Sequence, residues 1–315
     1  MTPRVEKLRS LSVDTRPYIS TERAVLMTDF YSGSVPRLHP TPIVRALSFM
    51  HLMENKTIHI GDGELIVGER GPAPKATPTY PELCCHSLED LRILNTRERT
   101  PFVVADDDFR VYEERIIPFW EGATVREHVF AAMSPDWHAA FDAGVFTEFM
   151  EQRAPGHAIL DDKIYRRGFN DVRRRIAELR RELDWLNDPR AYDKDVELQA
   201  MDICCRAIIR QSERHADLAR AMAKNETDAA RRAELLEIAE VCERVPAEAP
   251  RTFREALQCY WFVHLGVITE LNTWDSFNPG RLDQHLYPFY QREIEAGTLT
   301  EDSARELLEC FWVKF

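Results

Sequence analysis

TELNTWDSFNPGRLDQHLYPFY, running from Thr269 to Tyr290, decides how the rest of the chain is read. It sets a cluster of unusual polar residues between two strongly apolar segments. Upstream, Thr252 and Glu255 form a T-x-x-E capping box, which pairs two otherwise orphaned backbone donors and starts a helix. The apolar run from Ala256 to Ile268 follows. Downstream, Asn278 and Pro279 fit an N-cap and a first-turn proline, Leu282, Leu286, Phe289 and Glu293 keep helical spacing, and Gly297 supplies the stop. Asn272, Trp274, Asp275 and Ser276 therefore fall in a short break between two buried segments. An unpaired buried amide or carboxylate is costly, so these groups must find partners or face a cavity. Two readings follow: a chemical site, or a plain helix cap supplied by Asp275 or Ser276.

With 315 residues and an apolar fraction of 44%, the chain can bury a large core. Its 41 basic and 53 acidic residues leave a formal charge of −12, which repels phosphate backbones, so nucleic acid is not an expected partner. The basic cluster Arg173 to Arg175 with Arg180 and Arg181 is interleaved with Glu178, Glu182 and Asp184 and reads as a solvated helix face. No window approaches the roughly twenty apolar residues of a membrane helix. The start, MTPRVEKLRSLSVDTRP, lacks the apolar centre of a signal peptide, so a cytoplasmic protein without a membrane partner is expected. Seven cysteines, with Cys84–Cys85 and Cys204–Cys205 adjacent and no C-x-x-C spacing, argue against both zinc and a disulfide framework. Cys259 and Cys310 sit in apolar runs and read as small core residues.

Taken in order, helices are expected around Ala24 to Tyr31 and from about Pro42, each with an apolar face. In IHIGDGELIVGERGPAPKATPTYPE, Glu64 to Val67 reads as a short strand. Its glycines do not give a phosphate-loop spacing, and the prolines after Gly71 forbid the helix such a loop needs. Asp106 to Asp108 fits a solvated helix start rather than a calcium loop. FTEFMEQRAPGHAILDDKIYRRGF, Phe146 to Phe169, begins as a helix and breaks at Pro155-Gly156, leaving His157 on the break with Phe149 eight residues before it. A structural and a catalytic role for His157 both stand at this point. Val172, Ile176, Leu179, Leu183 and Leu186 mark an amphipathic helix ended by Asp188-Pro189, and two long helices follow, about Val196 to Lys224 and Glu226 to Arg244. No repeat or linker divides the chain, so residues 1–315 read as a single, mostly helical unit. After the cap at Thr300 the sequence stops at CFWVKF, which reads as a chain cut inside a buried element.

Three stretches, GELIVGERGPAPKATPTYPE, FTEFMEQRAPGH and ELNTWDSFNPGRLDQHLYPFY, resemble the N-terminal part of the glycyl radical enzymes of the pyruvate formate-lyase superfamily. Within it the pattern is most similar to the branch that dehydrates trans-4-hydroxy-L-proline. Glycerol and diol dehydratases, carbon–nitrogen and carbon–sulfur lyases and formate acetyltransferases are the neighbouring alternatives, and a non-catalytic helical assembly subunit is a further one. The resemblance implies a mainly α fold, the helical portion and opening elements of an incomplete ten-stranded α/β barrel, forming one domain truncated at its C-terminal end. It implies a lyase that removes water from a small hydroxylated substrate after a cysteine thiyl abstracts hydrogen. It also implies a glycyl radical installed by an activating enzyme that uses S-adenosylmethionine and an iron–sulfur cluster, and a homodimer at full length. Carried over, Phe149 packs against the substrate ring, His157 protonates the leaving hydroxyl, and Asp275 binds the substrate ammonium or relays a proton. No cofactor-binding or metal-binding residue is implied within this chain. Neither the catalytic C-x-E motif nor the R-V-[AS]-G-[YF] glycine motif is present, so the chain alone is expected to be inactive.

Overall fold

The computed structural model describes residues 1–145, 159–271 and 278–315. The chain opens with α1 (Pro3–Asp14), started by the Thr2 side chain, and passes through β1 (Tyr18–Ser20) to α2 (Glu22–Ser32) and α3 (Thr41–Asn55). β2 (Ala76–Pro78) lies parallel to β1 with Ile19 opposite Thr77, and among the described residues these are the only strands. A run of short helices follows: α4 (Leu88–Thr96), α5 (Asp106–Val111), a π turn at Tyr112–Ile116, α6 (Ile117–Trp120), α7 (Val125–Ala132) and α8 (Pro135–Asp142). Ser87, Thr124 and Ser134 start three of them by accepting a backbone N–H into the side-chain oxygen. The rest is α9 (Lys163–Arg166), α10 (Phe169–Arg181), α11 (Ala191–Asn225), α12 (Ala229–Arg244), α13 (Phe253–Leu271), α14 (Leu282–Ala296) and α15 (Glu301–Trp312).

The architecture is built around α13. Sixteen of its 19 residues are buried, including Arg254, Glu255, Gln258, His264 and Thr269. A helix without a solvent face must be covered on every side; α9, α11, α12, α14 and α15 all pack against it. Leu257, Trp261 and Phe262 of α13 join Met53, Ile208, Leu235, Ile238 and Phe311 in the main core. A second core gathers Ile19, Met27, Leu52, Leu91, Tyr112, Ile116 and Trp120. Cys259 and Cys310 are core residues, as their apolar surroundings in the sequence led us to expect.

The mostly helical reading holds, and three local expectations are corrected. Glu64 to Val67 is not a strand, because side chains of α12 and α13 take up its backbone hydrogen bonds. Helix α14 begins at Leu282 rather than at Pro279. The Asn278 side chain accepts the Gly280 N–H at 2.8 Å and Gly280 has φ 62°, which folds these residues into a turn ahead of the helix. Gly297 ends α14 at φ 70°, as expected. Helix α10 ends at Arg181 instead of Leu186. Asp184 there accepts the N–H groups of Leu186 and Asn187 at 3.1 and 3.0 Å, a local bond that competes with helix continuation. The basic cluster is a face of paired charges, with Arg173 on Asp202 at 2.8 Å, Arg175 on Glu178 at 3.1 Å and Arg180 on Asp195 at 2.6 Å. Among the described residues, no helix is long and apolar enough to cross a membrane.

Candidate active site

Phe149, His157 and Asp275 lie outside the described residues. The structure does define two walls, the chain from which the second stretch departs and the chain to which the first returns.

The first wall is the C-terminal end of α13, where the last turn leaves carbonyl oxygens without intrahelical donors. Arg23 of α2 donates from Nε to the Thr269 carbonyl at 2.8 Å, and Tyr80 Oη donates to the Ile268 carbonyl at 2.5 Å. The Arg23 guanidinium also grips both carboxylate oxygens of Glu82, at 3.1 and 2.5 Å, and lies 3.9 Å above the Tyr80 ring. Burial opposes its charge, but Glu82 more than compensates and holds the Arg23 pKa above its ordinary value. Burial pushes Tyr80 up to about 12, so its phenol remains a donor. Beside them Arg45 meets Glu270 at 2.6 Å, and burial raises the Glu270 carboxyl in spite of Arg45 and Arg23. Four side chains from outside the helix, Arg23, Arg45, Tyr80 and Glu82, thus fix the last described turn before residue 272.

The second wall lies where the chain returns at Ile159. Asp161 Oδ1 stands 3.3 Å from His285 Nε2 in the first turn of α14. Two residues further on, α9 begins; the Cys259 thiol donates to the Ile164 carbonyl at 3.6 Å, and the Tyr165 ring lies 5.3 Å from that of His285. Asp161 follows His157 by four residues, and His285 follows Asp275 by ten. The chain just after the first stretch is therefore held against α13 and α14, and the second stretch connects these two helices.

Elsewhere, Lys314 is buried between Glu64 and Glu69, next to a cavity of about 240 Å³ lined by His59, Arg70, Trp261 and Phe315. Cys85 is pushed up to about 12 by burial and by Cys84, which keeps it a thiol. Among the described residues no three metal-ligating side chains converge.

Sequence reading missed Arg23, Tyr80 and Glu82 as a group. Tyr80 and Glu82 fall inside a stretch that carries the family resemblance, whereas Arg23 looks like any charge on an amphipathic helix.

A model of the family described as pyruvate formate lyase-like matches residues 1–315. The trans-4-hydroxy-L-proline dehydratase of Clostridioides difficile is 53% identical over 315 residues, 99% of this chain and 39% of that protein. An isethionate sulfite-lyase of Nitratidesulfovibrio vulgaris is 36% identical over 313 residues, 95% of this chain and 37% of its own length. The crystal structure of hydroxyproline dehydratase from Clostridioides difficile with trans-4-hydroxy-L-proline bound matches with a TM-score of 0.96 and 52% identity, covering 100% of this chain and 40% of that one. The chain spans about two fifths of the length of these relatives. Its architecture is that of a partial region of the glycyl radical enzyme fold.

Proposed function

We propose, because this chain belongs to the pyruvate formate lyase-like family, that residues 1–315 form one N-terminal domain of a longer glycyl radical lyase that removes water from trans-4-hydroxy-L-proline. The observation that carries this reading is the likeness to a hydroxyproline dehydratase along essentially the whole chain.

None of the seven cysteines here stands in a C-x-E motif, and those in the core are held as thiols by burial. The radical, installed by an activating enzyme with S-adenosylmethionine and an iron–sulfur cluster, would supply hydrogen abstraction through a cysteine outside these residues. This chain's part is the polar work. Phe149 packs against the substrate ring, and Asp275 holds the ring ammonium, which offsets the cost of burying a carboxylate. His157 gives its proton to the departing hydroxyl, so that the group leaves as water and not as hydroxide. What supports these roles is that the chain leaving the first stretch at Asp161 lies against α13 and α14, and the chain entering the second at Glu270 is the end of α13 itself. Without the abstraction machinery, the 315 residues alone are inactive, and the complete protein acts as a homodimer with its activating enzyme as partner.

Likeness to an isethionate sulfite-lyase favours a second reading, cleavage of a carbon–sulfur bond by the same scaffold. One assay separates them. The complete protein is activated anaerobically and offered trans-4-hydroxy-L-proline, glycerol and isethionate in parallel. Formation of a pyrroline carboxylate supports the dehydratase, and release of sulfite alone overturns it. In the same protein His157→Gln is expected to lower kcat by roughly 10²- to 10⁴-fold; undiminished turnover would remove His157 as the proton donor.

A further inference from the structure

Two buried polar atoms take part in neither wall's hydrogen bonds. Tyr165 is 7% exposed, and its Oη has no hydrogen-bond partner among the described residues. The same holds for Nδ1 of His285, whose side chain is 11% exposed. The rings are neighbours, tilted by 42° with centroids 5.3 Å apart. On its far side His285 turns Nε2 to Asp161 Oδ1 at 3.3 Å. The carboxylate accepts from Nε2, which leaves Nδ1 as the ring's remaining polar atom. The Tyr165 hydroxyl both donates and accepts. Leaving two such atoms unpaired in the interior is costly, and a single water can satisfy polar atoms on adjoining side chains.

We propose that Tyr165 and His285 together bind one water molecule, and that with Asp161 this hydrated group is the positioning device that fixes the chain at Ile159–Asp161 against α14. Backbone geometry supports it independently. Leu160 and Asp161 both occupy the left-handed region, at φ 55° and 50°. Residues other than glycine hold that conformation where their surroundings impose it. The Asp161–His285 contact is such an imposition, and the packing of Tyr165 on Phe289, with centroids 6.3 Å apart, extends it along α14. Because His157 precedes Asp161 by four residues, a displacement at Asp161 is passed to the proton donor; this part rests on the proposed function, whereas the water site does not.

The test uses crystals and kinetics of the complete protein. Tyr165→Phe removes Oη and keeps the ring, His285→Asn keeps a polar atom near Nδ1, and His285→Leu keeps none. Expected in the wild type is density within hydrogen-bonding distance of both Tyr165 Oη and His285 Nδ1. In Tyr165→Phe that density disappears, Asp161 moves away from His285, and kcat on hydroxyproline falls roughly 10-fold with KM little changed, as misplacement of a catalytic group predicts. His285→Asn retains more activity than His285→Leu. Absence of the water in the wild type overturns the site, and an unmoved Asp161 or an undiminished kcat in Tyr165→Phe overturns the positioning role. A wild type inert on hydroxyproline overturns the proposed function alone, since the density and the Asp161 displacement are read without turnover.

Discussion

Gln258 treats the backbone of Val67 as a neighbouring strand would, its Nε2 donating to the Val67 carbonyl at 2.9 Å and its Oε1 accepting the Val67 N–H at 2.8 Å. The surrounding loop is served the same way. Arg254 donates to the Leu65 carbonyl at 3.1 Å, Trp261 to Gly68 at 2.9 Å, and Lys56 to Glu69 and Arg70 at 2.9 and 3.0 Å. A buried loop is tolerable only if its polar groups are paired, and here side chains replace the sheet.

Gln258→Leu leaves the Val67 N–H and carbonyl unpaired in the interior. The expected loss is roughly 2–6 kcal/mol, from two orphaned groups at the usual cost of each. Urea denaturation measures it; a loss within ±0.5 kcal/mol would mean that the loop finds other partners.

Acid should destabilise the fold in two separate steps. Burial lowers both His215 and His264 to about 4, the first with its Nδ1 against the Gln211 carbonyl at 2.8 Å, the second stacked on Trp261. Between the ordinary value near 6.5 and about 4, the unfolded chain binds protons that the folded one refuses, so stability falls as pH drops through that window. Each histidine accounts for on the order of 3 kcal/mol. His215→Gln should flatten part of this slope, read from urea midpoints at a series of pH values.

The second step belongs to the Lys314 cluster. Burial pushes the Glu64 carboxyl up, but Lys314 and the Gly61 N–H outweigh it, so Glu64 is held below its ordinary value of 4.5. Its contribution is complete above about pH 4.5 and is lost as pH falls through the folded value. Lys314 is raised above 10.5, so its contribution is complete below that pH and is lost as pH climbs through the folded value. Lys314→Met strands two carboxylates in the interior, at an expected cost of roughly 3–5 kcal/mol at neutral pH. The variant should also lose the part of the acid sensitivity below pH 4.5 that the Lys314–Glu64 pair supplies, which the same midpoints show.

Arg23→Lys keeps the charge and gives up the fork that reaches Thr269, Thr79 and Glu82 together. A loss of roughly 2–4 kcal/mol is expected. In the complete protein the same change should lower kcat/KM, because the end of α13 precedes the stretch that carries Asp275. Equal turnover by both proteins would confine Arg23 to stability.

What the sequence disclosed follows the range of each interaction. The cap at Thr252, the stop at Gly297 and the start at Thr300 depend on partners a few residues away, and the structure has all three. Even there Glu255 departs from the box, since its carboxylate turns to the Arg251 N–H at 2.5 Å. The strand expected at Glu64 to Val67 failed because periodicity reports which residues are buried, not which distant side chains meet the backbone. Arg23 and Lys314 were illegible for the same reason: their partners lie 246 and 250 residues away. His157 and Asp275 stood out as polar residues on breaks in the sequence, the roles of both and of Phe149 came from the resemblance, and all three lie outside the described residues.

The grip of Gln258 on Val67 also sets an order of events in the cell. The two residues are 191 apart, so at about 5–20 residues per second Val67 leaves the ribosome roughly 10–40 s before its partner exists. Throughout that interval the backbone of Val67 has nothing to pair with except water or a chaperone. Local helices such as α2 and α3 can form as they emerge, whereas the loop, with its apolar Leu65, Ile66 and Val67, must wait for α13. Nascent chains halted before residue 258 should therefore carry this segment open to proteases and to chaperones, and those halted well beyond α13 should not.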